Sequence, residues 1–223
     1  VNAQASTGTK PKNKTKVVEP KQKNGKTTLD ASIPMEEVII TIAGDSMLQN
    51  KLPPGGILNP QPGPHPTDED RQANWKNKGH WTKEKKLGFP VEAFTSAMAA
   101  VVKNVKLSGK VKYGKDVKRA IRILPDDRSE DGKGLILFSK YKAVMSSMFA
   151  YPPRNPIPMP AIRLEAQDWE ATLRIVYDKS LLSNHDVILL VARAGLSNGI
   201  GAFRKENGGE YGCFKVTKAN TRS

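Results

Sequence analysis

The order of apolar patterns along these 223 residues predicts an α+β sandwich, with one antiparallel sheet, two helices on one of its faces and the other face free to bind. Three observations carry this reading. A β-branched run near residue 40 and alternating segments near residues 120, 136 and 162–177 read as strands. Two segments with apolar residues at three- and four-residue spacing, opening near residues 90 and 184, read as amphipathic helices. Their order is strand, helix, strands, helix, strand, the sequence of elements that makes a ferredoxin-like sandwich. A hydrophobic content of 38% supports a core in part of the chain and is lean for all of it, so one domain with tails and insertions is expected.

Residues 1–32 carry Lys10, Lys12, Lys14, Lys16, Lys21, Lys23 and Lys26 against Glu19 and Asp30, with too little apolar surface to offset the entropy of ordering. They read as a disordered basic arm. The domain proper is expected over 33–218, with a tail at 219–223. Its first strand is Val38-Ile39-Ile40-Thr41-Ile42, stopped by Gly44. A long insertion follows at 52–88, broken by Pro53, Pro54, Pro60, Pro62, Pro64 and Pro66. Pro90 opens a helix whose apolar face is Val91, Phe94, Met98, Val101, Val102 and Val105. Alternation at Val117–Ile123 and the run Leu135–Phe138 predict two strands about a polar turn at 126–134, and Ala143, Val144, Met145, Met148 and Phe149 suggest a short helix. Tyr151–Pro160 reads as a crossover. The strand from Ile162 to Tyr177 changes parity at Asp168, which calls for a bulge or tight turn there. Ser183, with Asp186 three residues on, caps a helix carrying Val187, Leu190, Val191 and Ala194 and ending at Gly195. A glycine-rich loop and the strand Cys213–Val216 close the domain.

The net charge of +14 and pI near 9.8 imply a polyanionic partner, nucleic acid before an anionic membrane. No apolar run approaches the roughly 20 residues that span a bilayer, and no secretory signal precedes the basic N-terminus. A soluble protein with no membrane partner is expected. Cys213 stands alone and reads as a small core residue, and His65, His80 and His185 are scattered. Neither an internal disulfide nor a metal site or cofactor is therefore expected.

Three segments are candidate binding elements. Lys103, Lys106, Lys110, Lys112, Lys115, Lys118, Arg119 and Arg122 are opposed only by Asp116, a density of one sign suited to neutralising successive phosphates; the alternative is an ordinary solvated face. Trp75 and Trp81 sit among Arg71, Lys76, Lys78, Lys83, Lys85 and Lys86, and with Phe89 they make the mixture with which single-strand binders stack bases and track phosphate; the alternative is that the tryptophans anchor the insertion to the body of the protein or to a neighbouring subunit. In the last, Gly199, Gly201, Arg204 and Lys205 belong to a glycine-rich run through Gly212 that would let backbone approach phosphate, although no nucleotide-binding motif is present; helix capping and turns are the alternative. Asp126, Asp127, Glu130 and Asp131 read as a solvated turn rather than a nuclease metal cluster, and no catalytic residue is assigned.

Four segments carry a resemblance: Ser46-Met-Leu-Gln-Asn50, Pro90-Val-Glu-Ala-Phe94, Trp169 through Asp178, and Gly199-Ile-Gly-Ala-Phe-Arg204 with Gly209-Glu-Tyr-Gly-Cys-Phe214. Together they resemble an uncharacterised bacteriophage protein family, and the last element resembles the RAMP superfamily of CRISPR backbone subunits. This sequence departs in its lysine-rich arm and in Gln49, where phage relatives often have histidine. The resemblance implies a ferredoxin-like (RRM/RAMP-like) core, copies assembled along a strand as a homo-oligomer, and a place in a bacterial host cytoplasm. The expected function is non-catalytic binding of single-stranded nucleic acid, RNA or DNA. The rivals are a packaging protein acting through its arm, a subunit of an RNA-guided complex, and a metal-dependent nuclease.

Overall fold

The computed structural model describes residues 33–51, 67–150 and 159–222. The basic arm, the proline-rich first part of the insertion and residues 151–158 of the crossover lie outside them. The first strand, β1, spans Met35–Gln49. Within the insertion come helix α1 (Asp68–Ala73), a 3-10 turn (Trp75–Lys78) and strand β2 (His80–Trp81), followed by β3 (Leu87–Pro90). Helix α2 (Val91–Val101), helix α3 (Gly114–Ala120) and strand β4 (Ile121–Leu124) follow, then β5 (Asp127–Arg128), β6 (Gly134–Ala150), β7 (Met159–Asp178), helix α4 (Asn184–Ser197) and β8 (Lys215–Arg222).

All strand pairings are antiparallel, and β7 is the shared member. On one side it pairs with β1 over almost its whole length, and β1 in turn pairs with β8. Its other side is divided between β4, opposite Arg174–Tyr177, and β6, opposite the half from Met159 to Ala171. The start of β6 continues the sheet through β3 to β2. One face is core. Val38, Ile40 and Ile42 of β1 lie in register with Ile175, Leu173 and Ala171 of β7, and all six are buried. Phe94, Met98 and Val101 of α2, with Val187, Leu190 and Val191 of α4, complete that core. Alternation turns Ile39, Thr41, Thr172 and Val176 to the other face, where they remain partly exposed.

Asp168 carries the expected parity change: its φ is 46°, a left-handed conformation uncommon for any residue with a Cβ. The β6–β7 register shifts beside it, between Phe138 and Lys142. Buried positions pass from Ile162, Leu164 and Ala166 before it to Trp169, Ala171 and Leu173 after it.

Several expectations need correction. β1 does not stop at Gly44 but runs through it, because Trp169 lies over that position. A Cβ at Gly44 would come within 2.7 Å of the indole and collide with the Cys213 carbonyl. Val117–Ala120, expected as strand, is helical, held at its start by Asp116 accepting from the Tyr113 N–H at 3.1 Å; only Ile121–Leu124 is strand. The helix expected at 143–150 is the second half of β6, its backbone taken up by pairing with β7, a tertiary demand that outweighs ambiguous local spacing. Residues 67–88 are an ordered part of the domain, not a structureless loop. Their first helix is capped by Thr67, whose Oγ1 accepts from the Asp70 N–H at 3.2 Å. Helix α4 passes through Gly195 to Ser197. That glycine is where the Phe214 backbone crosses the helix, leaving no room for a Cβ. Cys213 precedes the last strand and is half-buried, and β8 takes in residues 219–222 expected as tail.

Candidate nucleic-acid interface

Lys103, Lys106, Lys110, Lys112, Lys115, Lys118 and Arg119 are all exposed, on the segment that links α2 to β4. Within it Leu107 and Val111 turn inward to the core while the lysines between them point out. On α3, Lys115, Lys118 and Arg119 share one helical face because they are three and four positions apart, opposite the buried Val117 and Ala120. Lys115 lies over the Tyr113 ring, 5.8 Å from its centroid. None of these seven forms an ion pair among the described residues.

The lysine segment is fastened by one buried carboxylate. Asp186, in the first turn of α4, is 1% exposed. It accepts hydrogen bonds from the Ser108 N–H and Oγ–H, both at 2.7 Å, from the Gly109 N–H at 3.1 Å, and from the Ser183 N–H at 2.9 Å and Oγ–H at 2.8 Å. Burial alone would raise its pKa. The donors from Ser183 and Ser108 outweigh that and bring it down to about 2. Lys110 then donates its N–H to the Leu181 carbonyl at 2.9 Å, and Gly109 passes so close to that carbonyl that no Cβ would fit. Charges that look like a free loop in the sequence are therefore held in place. Arg122 is not with them. It alternates with buried Ile121 and Ile123 and projects from the opposite face of the sheet, in register with Val176 and one strand over from Arg174.

Both indoles of the insertion are half-buried and pack against the core, and only Trp81 has a hydrogen bond from its ring among the described residues. Trp81 donates its Nε1–H to the Lys76 carbonyl at 2.7 Å and packs against the core, as does Phe89, 7% exposed; both anchor the segment. Trp75 is half-buried, with the Lys76 ammonium 5.7 Å from its ring centroid. The insertion is tied down by Gln49, which is fully buried: its Nε2 donates to the Gly88 carbonyl at 3.1 Å and its Oε1 accepts the His80 N–H at 2.9 Å. His80 is buried beside it. That burial and nearby Lys51 push its pKa down to about 4 against the opposing pull of Asp131, leaving it neutral at physiological pH.

The glycine-rich loop extends the β1 edge beyond the point where β8 stops pairing. Ala202 donates to the Leu48 carbonyl and Gly212 to the Ser46 carbonyl, both at 2.8 Å. Gly199, Gly201, Gly208 and Gly212 have positive φ, and Cβ atoms at 199, 201 and 212 would each meet backbone. These glycines close the loop on itself and on β1. Arg204 is paired with Glu206 at 2.8 Å, and Lys205 is an exposed cation with no acid partner among the described residues. The acids at 126–131 are dispersed: Asp126 accepts the Leu137 N–H at 2.9 Å, Glu130 pairs with Lys85 at 3.2 Å and Asp131 with Lys51 at 3.5 Å.

No family model matches this chain, and no curated protein does. Among solved structures it is similar to a chain in the cryo-EM structure of the Type III-B Cmr-beta bound to cognate target RNA, with 10% identity and a TM-score of 0.53 over 84% of this chain and 60% of that one. It is also similar to the crystal structure of Cmr6 from Pyrococcus furiosus, with 10% identity and a TM-score of 0.40 over 82% of this chain and 98% of that one. The first likeness is one of fold, and this chain spans 60% of the length of that solved chain. Among the described residues, no helix is long and apolar enough to cross a membrane.

Proposed function

We propose that this chain binds single-stranded nucleic acid, RNA first, through its phosphates and without catalysing a reaction. The observation that carries the reading is the lysine segment 103–119, whose cations form no ion pair among the described residues and whose backbone is clamped at Ser108 and Gly109 by Asp186. Cations fixed in place lose less entropy on meeting phosphates than cations on a free loop, and each phosphate neutralised releases counterions. The strand order β8, β1, β7, then β4 with β6, and the placing of α2 and α4 on one face, support a ferredoxin-like core of the RAMP kind in which the second strand is divided. Its open face, with Arg122 and Lys218, and half-buried Trp75 would lie along the same strand.

Replacing Lys110, Lys112 and Lys115 together by Glu should lower affinity for a 20-nucleotide RNA at least tenfold and flatten its dependence on salt. Unchanged affinity and slope would reject the reading. A second reading, a subunit of an RNA-guided assembly, draws on the likeness to the Cmr-beta chain. It expects RNA and partner subunits to co-purify with the protein; a lone protein that coats RNA in a fixed ratio of copies to nucleotides would instead favour assembly along the strand. If removing residues 1–32 abolished binding altogether, the packaging alternative would take its place.

A further inference from the structure

A second group of cations lies at the far end of β7. β1 ends opposite Leu164, so the next position, Arg163, has no β1 partner. The turn Trp75–Lys78 packs there, tied by the Lys51 N–H donating to the Lys78 carbonyl at 2.9 Å and by Gly79, where a Cβ would meet Leu164 at 2.7 Å. Lys78 and Arg163 are both half-buried. Arg163 donates from Nη1 only to the carbonyl of its own neighbour Ile162, at 3.0 Å, and its buried Nε has no partner among the described residues. Oε1 of Glu165, two residues along the strand, accepts from Ser46 at 2.8 Å and from Gln167 at 3.0 Å, and Glu165 forms no ion pair with Arg163 among the described residues. Burial first, then the charges of Arg163 and Arg71, depress the pKa of Lys78.

Like charges drawn together and partly removed from water are costly unless an anion completes the site. A buried guanidinium N–H without an acceptor likewise calls for an oxygen. We infer that Lys78 and Arg163 bind a phosphodiester of single-stranded nucleic acid, a site separate in the chain from the lysine segment, with Trp75 in the same turn placed to meet an adjoining base. This rests on the function proposed above.

The test uses the full chain carrying Lys78→Gln, Arg163→Gln, both, or Arg163→Lys, titrated with a labelled 20-nucleotide uridine oligomer over a range of salt. Melting curves with and without millimolar pyrophosphate are recorded in parallel. The double variant should bind the oligomer at least tenfold more weakly, with a log–log salt slope smaller by about 0.7 for one phosphate on a single strand. It should also lose any rise in melting temperature that pyrophosphate gives the wild type. Arg163→Lys, which keeps the charge, should stay within about threefold of wild type. If the double variant melts higher than wild type and binds the oligomer equally well, the cluster is merely tolerated repulsion and the site is overturned while the nucleic-acid reading stands. If wild type ignores the oligomer but is still stabilised by pyrophosphate through these two residues, the ligand is a free phosphate, which overturns both the assignment to nucleic acid and the reading beneath it.

Discussion

Asp186→Asn is the most informative single change, because it isolates the clamp under the lysine segment. An amide of the same shape presents one acceptor and one donor where five donors converge on the carboxylate. The charge-assisted bonds weaken, and at least one N–H faces an NH₂ group. A buried loss of this kind costs about 3 kcal/mol, which for a domain of this size lowers the melting temperature by about 6–12 °C. The pH dependence gives an independent check. The folded pKa of Asp186 lies at about 2, below its ordinary value of 3.8. The carboxylate therefore contributes stability that is fully present above about pH 4 and is lost as the pH falls towards 2, a contribution of about 2 kcal/mol. Urea unfolding of wild type and variant at pH 7, 4 and 2.5 should show a gap that is constant down to pH 4 and narrows below it. Amide exchange at Gly109 and Lys110 should be faster in the variant at pH 7, and RNA affinity should fall with it. A gap under about 0.5 kcal/mol at pH 7, or one that does not narrow in acid, would refute the clamp.

The glycine-rich loop gives a paired test. Gly212→Ala, where the new Cβ would strike the Ile200 carbonyl at a φ of 75°, should cost about 2–4 kcal/mol. Gly208→Ala, at a φ of 78° with open space around it, should cost about 1 kcal/mol; equal losses by chemical denaturation would contradict the packing account. Gln49→Leu orphans the Gly88 carbonyl and the His80 N–H and should cost about 2–3 kcal/mol, with protease cleavage appearing first between residues 67 and 88. Because His80 stays neutral in the fold down to about pH 4 while its unfolded pKa is near 6.5, wild type should lose about 3 kcal/mol as the pH falls from 6.5 to 4. His80→Phe should flatten that part of the profile, and an unchanged profile would count against it. Quenching of tryptophan emission by RNA should survive Trp81→Phe and disappear with Trp75→Phe; the reverse pattern would place the stacking ring at Trp81.

The alternation of Val38, Ile40 and Ile42 and the three- and four-residue spacing around Phe94 and Val187 were enough to place the central strand and both covering helices. Local patterns report burial on one face, and these elements each have one. The misread segments are those whose conformation is settled from a distance. Met145 and Met148 fit a helix in isolation and join a sheet because β7 lies alongside. Gly44 and Gly195 look like stops until Trp169 and Phe214 are seen crossing them. The lysines were visible as charge, but their anchor was not. Ser183 and Asp186 announce a helix cap, and nothing local connects that cap to Ser108, which is 78 residues away. Arg163 escaped for the same reason: it is an ordinary basic residue until the end of β1 leaves a place for the turn that carries Lys78.

Because a single strand borders β1 on one side and both β4 and β6 on the other, β7 acts as a ruler. Arg163 stands near its first residue, and the Leu181–Asp186 seat of the lysine segment comes just past its last. At about 3.3 Å per residue the intervening strand measures roughly 45–50 Å. A nucleic acid long enough to reach both ends would be held as a bivalent ligand, its second contact made at a local concentration fixed by the fold. Affinity should then rise with oligonucleotide length in a step rather than smoothly, and the position of the step would measure the distance between the two sites.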